Sequence, residues 1–235
     1  MFLANYYMQN VWLGRTMHMP TIRRLILVVL ILALIPAMAL ASSHLALDAF
    51  YEAAFAGEYG DTQRDAVIRW EKPIAFYAKG SYTDADMGVL ARLLYDLSLH
   101  VPGLPELALT TREESANAII SFVPQEEMGA AVNEYKDGNV GFVWVNYDNY
   151  VIKSAKIAIS TNTRQVKRSA VIREEVVNML GLLNDITVTK DSIICQSGKT
   201  VTDLSDTDYA MLNYLYSKEI APGVSLEKAK RVLEE

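Results

Sequence analysis

Apolar and polar positions recur with two different periods along this chain, and each change of period marks a new element. From residue 44 to 56 (HLALDAFYEAAFA) the apolar residues fall at helical spacing, with Leu45, Leu47, Phe50, Ala54 and Phe55 as the expected buried face. Residues 68–79 (IRWEKPIAFYAK) are rich in aromatic and β-branched side chains and stop at Gly80, which predicts a strand. Thr83 and Asp86 then form a capping-box pattern. Behind them Met87, Leu90, Leu93, Leu94, Leu97 and Val101 recur at three and four, so a helix is predicted over 84–100.

AIISFVP (118–124) is a short apolar run ended by proline, and VGFVWVNYD and SAKIAIS supply two more strands on either side of a polar turn. A second long helix follows, with Thr163 as the expected N-cap and Val166, Ala170, Val171, Val176, Val177 and Leu180 as its apolar positions. It runs to Gly181, the residue best able to take the left-handed conformation that ends a helix. Ser205 and Asp208 cap a third helix through Tyr216, and Ser225 opens a last one. This order predicts an α+β fold with a small mixed sheet, in one domain over residues 42–235, with no Pro/Gly/Ser linker dividing it.

The N-terminal segment follows neither period. Residues 1–41 contain Arg15, Arg23 and Arg24 and no acidic residue, and the apolar run from Leu25 to Leu40 begins directly after the paired arginines. Pro36 interrupts that run, and Ala37-Met38-Ala39 and Ala39-Leu40-Ala41 carry the small, spaced residues of a signal-peptidase site. Residues 1–41 are therefore expected to be a signal peptide, and the mature chain to begin at Leu40 or Ser42 in the periplasm or outside the cell. The alternative is an uncleaved segment, residues 25–41, anchoring the protein in the inner membrane. Met17 or Met19 would give a more ordinary signal head.

Removing that segment takes away three basic residues and leaves a formal charge of −9, which excludes a nucleic-acid partner. Cys195 is the single cysteine, so no internal disulfide is available, and a buried inert thiol is expected. The three histidines are His18, in the leader, His44, in the first helix, and His100, expected at a helix end as a solvent-facing or capping residue. A zinc site needs three or four N, S or O ligands, and a set of carboxylates alone suits calcium or magnesium, so neither a metal nor another cofactor is expected.

The segment Arg173 to Asp185, REEVVNMLGLLND, is the most informative for chemistry. It resembles the HExxHxxGxxH helix of metzincin zinc proteases, in which two histidines one helical turn apart bind zinc and a glutamate activates the bound water. A glycine there turns the chain so that a third histidine can reach the same ion. With Gly181 in the glycine position, the resemblance places Glu174, Asn178 and Asn184 at the ligand positions and Glu175 at the base. Only the glutamate and the glycine survive. DSIICQS (191–197) stands where those proteases have a methionine turn, and LSDTDYAMLNYLY (204–216) is similar to their closing helix, so the resemblance covers about residues 68–220. It implies a zincin-like fold whose metal site is lost.

A second resemblance is to the exported bacterial family known as domain of unknown function 2927. It rests on E-Y-G at Tyr59, RWEKPI (69–74), REE with GLLND, DS, and the stretch from Leu204 to Gly223. Some members of that family are described as lipoproteins, but the first residues after the apolar run of this chain offer no cysteine to accept lipid. The family implies no activity.

Arg173, Glu174 and Glu175 are expected to form a structural network with Asp185, Lys190 or the start of the Ser205 helix. Tyr135, Trp144, Tyr147 and Tyr150 cluster around one strand, where packing on the core is the ordinary role of such residues and a groove beside an edge strand is the alternative, and Glu126 and Glu127 would be solvated. The favoured reading of function is a non-catalytic, metzincin-like domain that binds a peptide or protein in the periplasm or cell envelope. Two others stay open: a metal-independent hydrolase using Glu175 and a second carboxylate, Asp185 or Asp208, and a structural or assembly factor of the envelope.

Overall fold

The computed structural model describes residues 44–56, 64–196 and 201–234. The leader, its apolar run and cleavage sites, Tyr59 and Ser197 lie outside the described residues. No helix among the described residues is long and apolar enough to cross a membrane.

Helix α1 spans residues 44–55 and buries Ala46, Leu47, Ala49, Phe50 and Ala53 to Phe55, while Leu45, expected inside, is exposed because it precedes that stripe by one position. The strand predicted over 68–79 is two strands, β1 (Arg69–Trp70) and β2 (Ile74–Gly80). Pro73 sits at the break, where it has no N–H to give a ladder and restricts Lys72 before it. Helix α2 (Asp84–His100) starts at the expected Thr83/Asp86 capping box. No local pattern signals β3 (Leu107–Leu109) or the one-turn helix α3 (Met128–Ala131), which follows strand β4 (Ala118–Val123).

Strands β5 (Gly141–Asp148) and β6 (Val151–Ser160) are joined by Asn149 and Tyr150, both at positive φ, the mirror-image turn that matches hairpin twist. Helix α4 spans Gln165–Met179. Its N-cap is Arg164 and not Thr163, whose hydroxyl instead donates to the Ser160 carbonyl at 2.9 Å, and Val166 faces solvent in the first turn. Helices α5 (Asp206–Leu215) and α6 (Leu226–Leu233) begin at Ser205 and Ser225, as expected.

The sheet runs β3-β2-β4-β6-β5, with β1 adding a two-residue pairing to the start of β6. All pairs are parallel except β5 with β6. Helices α2 and α4 pack together, and α4 lies across β5 and β6, while α3 covers β4 and β6. The result is a mixed α+β order of the kind anticipated from the sequence: strand, helix, strands, antiparallel edge strand, motif helix, closing helices.

Both ends of α4 are pinned by buried polar groups. Near its start, Arg168 Nε donates to Asp86 Oδ1 at 2.9 Å, and Gln165 Nε2 donates to the same oxygen at 2.7 Å, which ties α4 to the capping box of α2. Burial alone would push the Asp86 carboxyl up, but hydrogen bonds from Arg168, Gln165 and Thr83 outweigh it and hold Asp86 below the usual carboxylate range. At the other end, carbonyls without helical partners are satisfied by side chains. The Trp70 indole donates to Met179 O at 2.9 Å, and the Tyr216 hydroxyl donates to Leu180 O at 2.8 Å. Arg69 performs the same service for α5, donating to Leu215 O and Ser217 O. The RWEKPI segment therefore joins the ends of two helices.

Candidate functional site

Strand β5 is the edge of the sheet, and among the described residues nothing pairs with its outer side. Ser160 N donates to Val140 O at 2.8 Å, so Val140 turns its carbonyl toward β6. Because main-chain groups alternate along an antiparallel strand, Gly141, Val143 and Val145 turn theirs outward. Below this open edge runs a cleft of about 600 Å³ between β5 and α4. One wall is the whole stretch from Gly141 to Tyr147; the floor is Glu174, Glu175, Asn178, Leu183 and Asp185.

Gly141 sets how closely the two walls meet. A Cβ there would stand 2.5 Å from Glu175 Oε1 and would overlap Val171 Cγ1. Gly181 sets the turn after α4: its φ is +123°, and a Cβ would overlap the Ile68 carbonyl. The motif glycine is thus required both by backbone conformation and by close packing on the chain that leads into β1.

The motif residues divide. Glu174, Glu175, Asn178 and Asp185 come together on the cleft floor. Glu175 is 7% exposed and faces this open cleft rather than the closed core. Glu174 and Glu175 both have partners within the protein. Asn184 is held elsewhere: its main-chain N–H and its Nδ2 both donate to Ala53 O of α1, at 3.3 and 3.0 Å. Arg173 turns to another side of α4, donating to Ser169 O and pairing with Asp203 at 3.0 Å, two residues before the cap of α5. Asp208 is fully buried and accepts from Ser192 Oγ, Ile193 N and Ser205 N, which fixes the segment that follows Asp191 onto α5. Burial raises its carboxyl despite those bonds. Of the two carboxylates considered beside Glu175, only Asp185 shares its cleft.

The zinc that metzincin proteases hold at these motif positions does not fit the residues that stand there in this chain. Carboxamides stand at two of the three ligand positions, one of them committed to Ala53, and a carboxamide offers zinc only a weak neutral oxygen where those proteases supply an imidazole nitrogen. Among the described residues no group of three or more His, Cys, Asp or Glu is arranged to hold a metal ion. His100 is exposed and its Nδ1 lies 2.8 Å from Asp96 O, a helix-end contact. Cys195 is half-buried rather than buried, in a bridge with Ile186.

The electrostatics of the floor are uneven. Asp185 makes no hydrogen bond or ion pair with any described residue, and burial raises its carboxyl above the ordinary 3.8. Asn178 is 8% exposed and its Oδ1 has no hydrogen-bond partner. Of the four aromatic residues clustered around this strand, Trp144 and Tyr147 line the cleft. Tyr135 instead packs edge-on to Phe142 and donates to Asn139 O, and Tyr150 packs against Gly223. Sequence reasoning missed Gly141, Arg64, Glu134 and Lys136, which complete the walls. For Gly141 there was a signal, a glycine opening a strand of large residues; the other three come from loops with none.

The family model described as protein of unknown function (DUF2927) matches residues 44–235. No curated protein matches the chain. Among solved structures, that of myroilysin is similar at 9% identity and a TM-score of 0.43, covering 66% of this chain and 99% of that one.

Proposed function

We propose, from the premise that this chain belongs to the DUF2927 family of proteins of unknown function, that its domain is a non-catalytic binder of extended peptide segments in the bacterial periplasm or cell envelope. The observation that supports this best is the open edge of β5 above a cleft. An extended segment laid there would add a strand, exchanging main-chain hydrogen bonds with Gly141, Val143 and Val145 while alternate side chains enter the cleft. The apolar run after Arg23 and Arg24 supports export. A binding role also suits a motif whose Glu175 is retained but whose ligand positions hold Glu174, Asn178 and Asn184.

The test is titration of the full chain with blocked, Val/Thr-rich pentapeptides, followed by the fluorescence of Trp144, which lines the cleft. Val145→Pro removes one outward N–H from an edge strand at a position that gives nothing to the β6 ladder, so the fold should persist while binding weakens about tenfold or more. N-methylation of the peptide at alternate residues should have the same effect without changing the protein. Binding indifferent to both changes would refute strand addition. Peptide hydrolysis by the folded protein, lost in Glu175→Gln, would replace a binder with a hydrolase.

A further inference from the structure

The polar groups of the cleft are out of balance. Its lining carries four carboxylates, Glu134, Glu174, Glu175 and Asp185, against two cations, Arg64 and Lys136. Glu174, Glu175, Arg64 and Lys136 have partners within the protein, but Asp185 is desolvated and no described residue donates to it. A second observation is independent of charge: Asn178, more than nine-tenths buried on the same floor, leaves Oδ1 without a donor. Buried acceptors are ordinarily satisfied, and an unsatisfied pair beside an open cleft marks where a donor is missing.

We infer that the floor of this cleft is a subsite for a cationic side chain, arginine or lysine, carried by an extended peptide and held by Asp185 and Asn178. The inference rests on the peptide-binding reading and names the chemistry that would be selected. A guanidinium presents five N–H donors in a rigid fork and accepts nothing, so one group can donate to both a carboxylate and a carboxamide oxygen. A metal ion needs its oxygens converged at about 2.0–2.6 Å, and no such convergence of acidic side chains exists among the described residues. An anionic or apolar side chain would add like charge or leave the same acceptors unpaired. The bound cation would restore to Asp185 the stabilisation that burial removes.

The experiment compares three blocked peptides on the full chain, Val-Thr-Arg-Thr-Val and its counterparts with citrulline or glutamate at the centre. Citrulline keeps the shape of arginine and removes the charge. The arginine peptide should bind about tenfold tighter than the citrulline peptide, the size expected of a charge-assisted bond in a partly desolvated site, and the glutamate peptide more weakly still. Asp185→Asn should shrink the arginine preference to about threefold or less, since a neutral acceptor remains. High salt should weaken the arginine peptide more than the citrulline one.

Equal affinity for arginine and citrulline peptides, both lost in Val145→Pro, would overturn the cationic subsite and leave the peptide-binding reading standing. An arginine preference that survives Asp185→Asn would also overturn it, because the charge would then be read elsewhere. Calcium displacing the arginine peptide from wild type but not from Asp185→Asn would assign the floor to a metal ion instead. If none of the three peptides binds, both readings fall.

Discussion

Replacing Gly141 with alanine tests the contact that frames the cleft, because the only change is one methyl group placed between β5 and α4. That methyl would lie 2.5 Å from Glu175 Oε1, 3.0 Å from its Cγ and inside the contact distance of Val171 Cγ1. The carboxylate end of Glu175 can turn aside. Val171 cannot: it is 5% exposed, and a β-branched residue in a helix has essentially one rotamer. The walls must therefore separate by several tenths of an ångström or more. Overpacking of this kind costs about 1–3 kcal/mol, and the lower entropy of the unfolded alanine chain returns about 0.4–1 kcal/mol, leaving a net loss of about 1–2 kcal/mol. For a domain of this size that is a fall in Tm of about 2–8 °C.

Denaturant titration read by tryptophan fluorescence measures the loss, with an unchanged m-value confirming that both proteins unfold alike. Val171→Ala removes the clashing methyl at its own cavity cost. The double variant should be more stable than the sum of the two single losses by about 0.5–1 kcal/mol or more, outside the range of simple additivity. An alanine variant as stable as wild type, or a coupling indistinguishable from zero, would show that β5 does not rest on α4 as described and that the cleft has a different width.

Three further outcomes are expected. Gly181→Ala should cost about 3 kcal/mol or more, because strain at φ +123° adds to overlap with a main-chain carbonyl; unlike the previous case, truncating the neighbouring Leu215 should not rescue it in the same titration. Arg168→Leu should cost about 3–5 kcal/mol by stranding Asp86 in the core. Because Asp86 is held below its ordinary 3.8, its share of stability is present above that value and is lost as pH falls through the lower, folded one. Thermal melts from pH 5 downward should therefore show acid destabilisation below about pH 4 that is blunted in Arg168→Leu. Asp185→Asn should raise the Tm of the unliganded protein at neutral pH. Its folded value lies above 3.8, so the native state binds more protons and wild type loses stability as pH rises through that window. The gap between variant and wild type should open from about pH 4 upward and vanish below it; a gap constant with pH would show that Asp185 is not desolvated.

Elements whose signals are local can be read directly from the order of residues. A capping box needs two residues three apart, so Thr83 with Asp86 and Ser205 with Asp208 fixed the starts of α2 and α5. Periodicity placed the buried stripe of α2, and Gly181 marked the end of α4 because only glycine tolerates that φ. Other features arise only when groups far apart in the chain are folded together. Asp86 meets Arg168 across 82 positions, and Trp70 finds the Met179 carbonyl across 109. The start of α4 was misread because its anchor is that distant carboxylate rather than a local cap at Thr163. Likewise the motif fixed the spacing of Glu174, Asn178 and Asn184, yet only packing against α1 could draw Asn184 onto Ala53 and leave Asp185 in the cleft. Spacing along a helix specifies a face, but past its last turn the direction of a side chain is set by whichever distant backbone satisfies its hydrogen bonds.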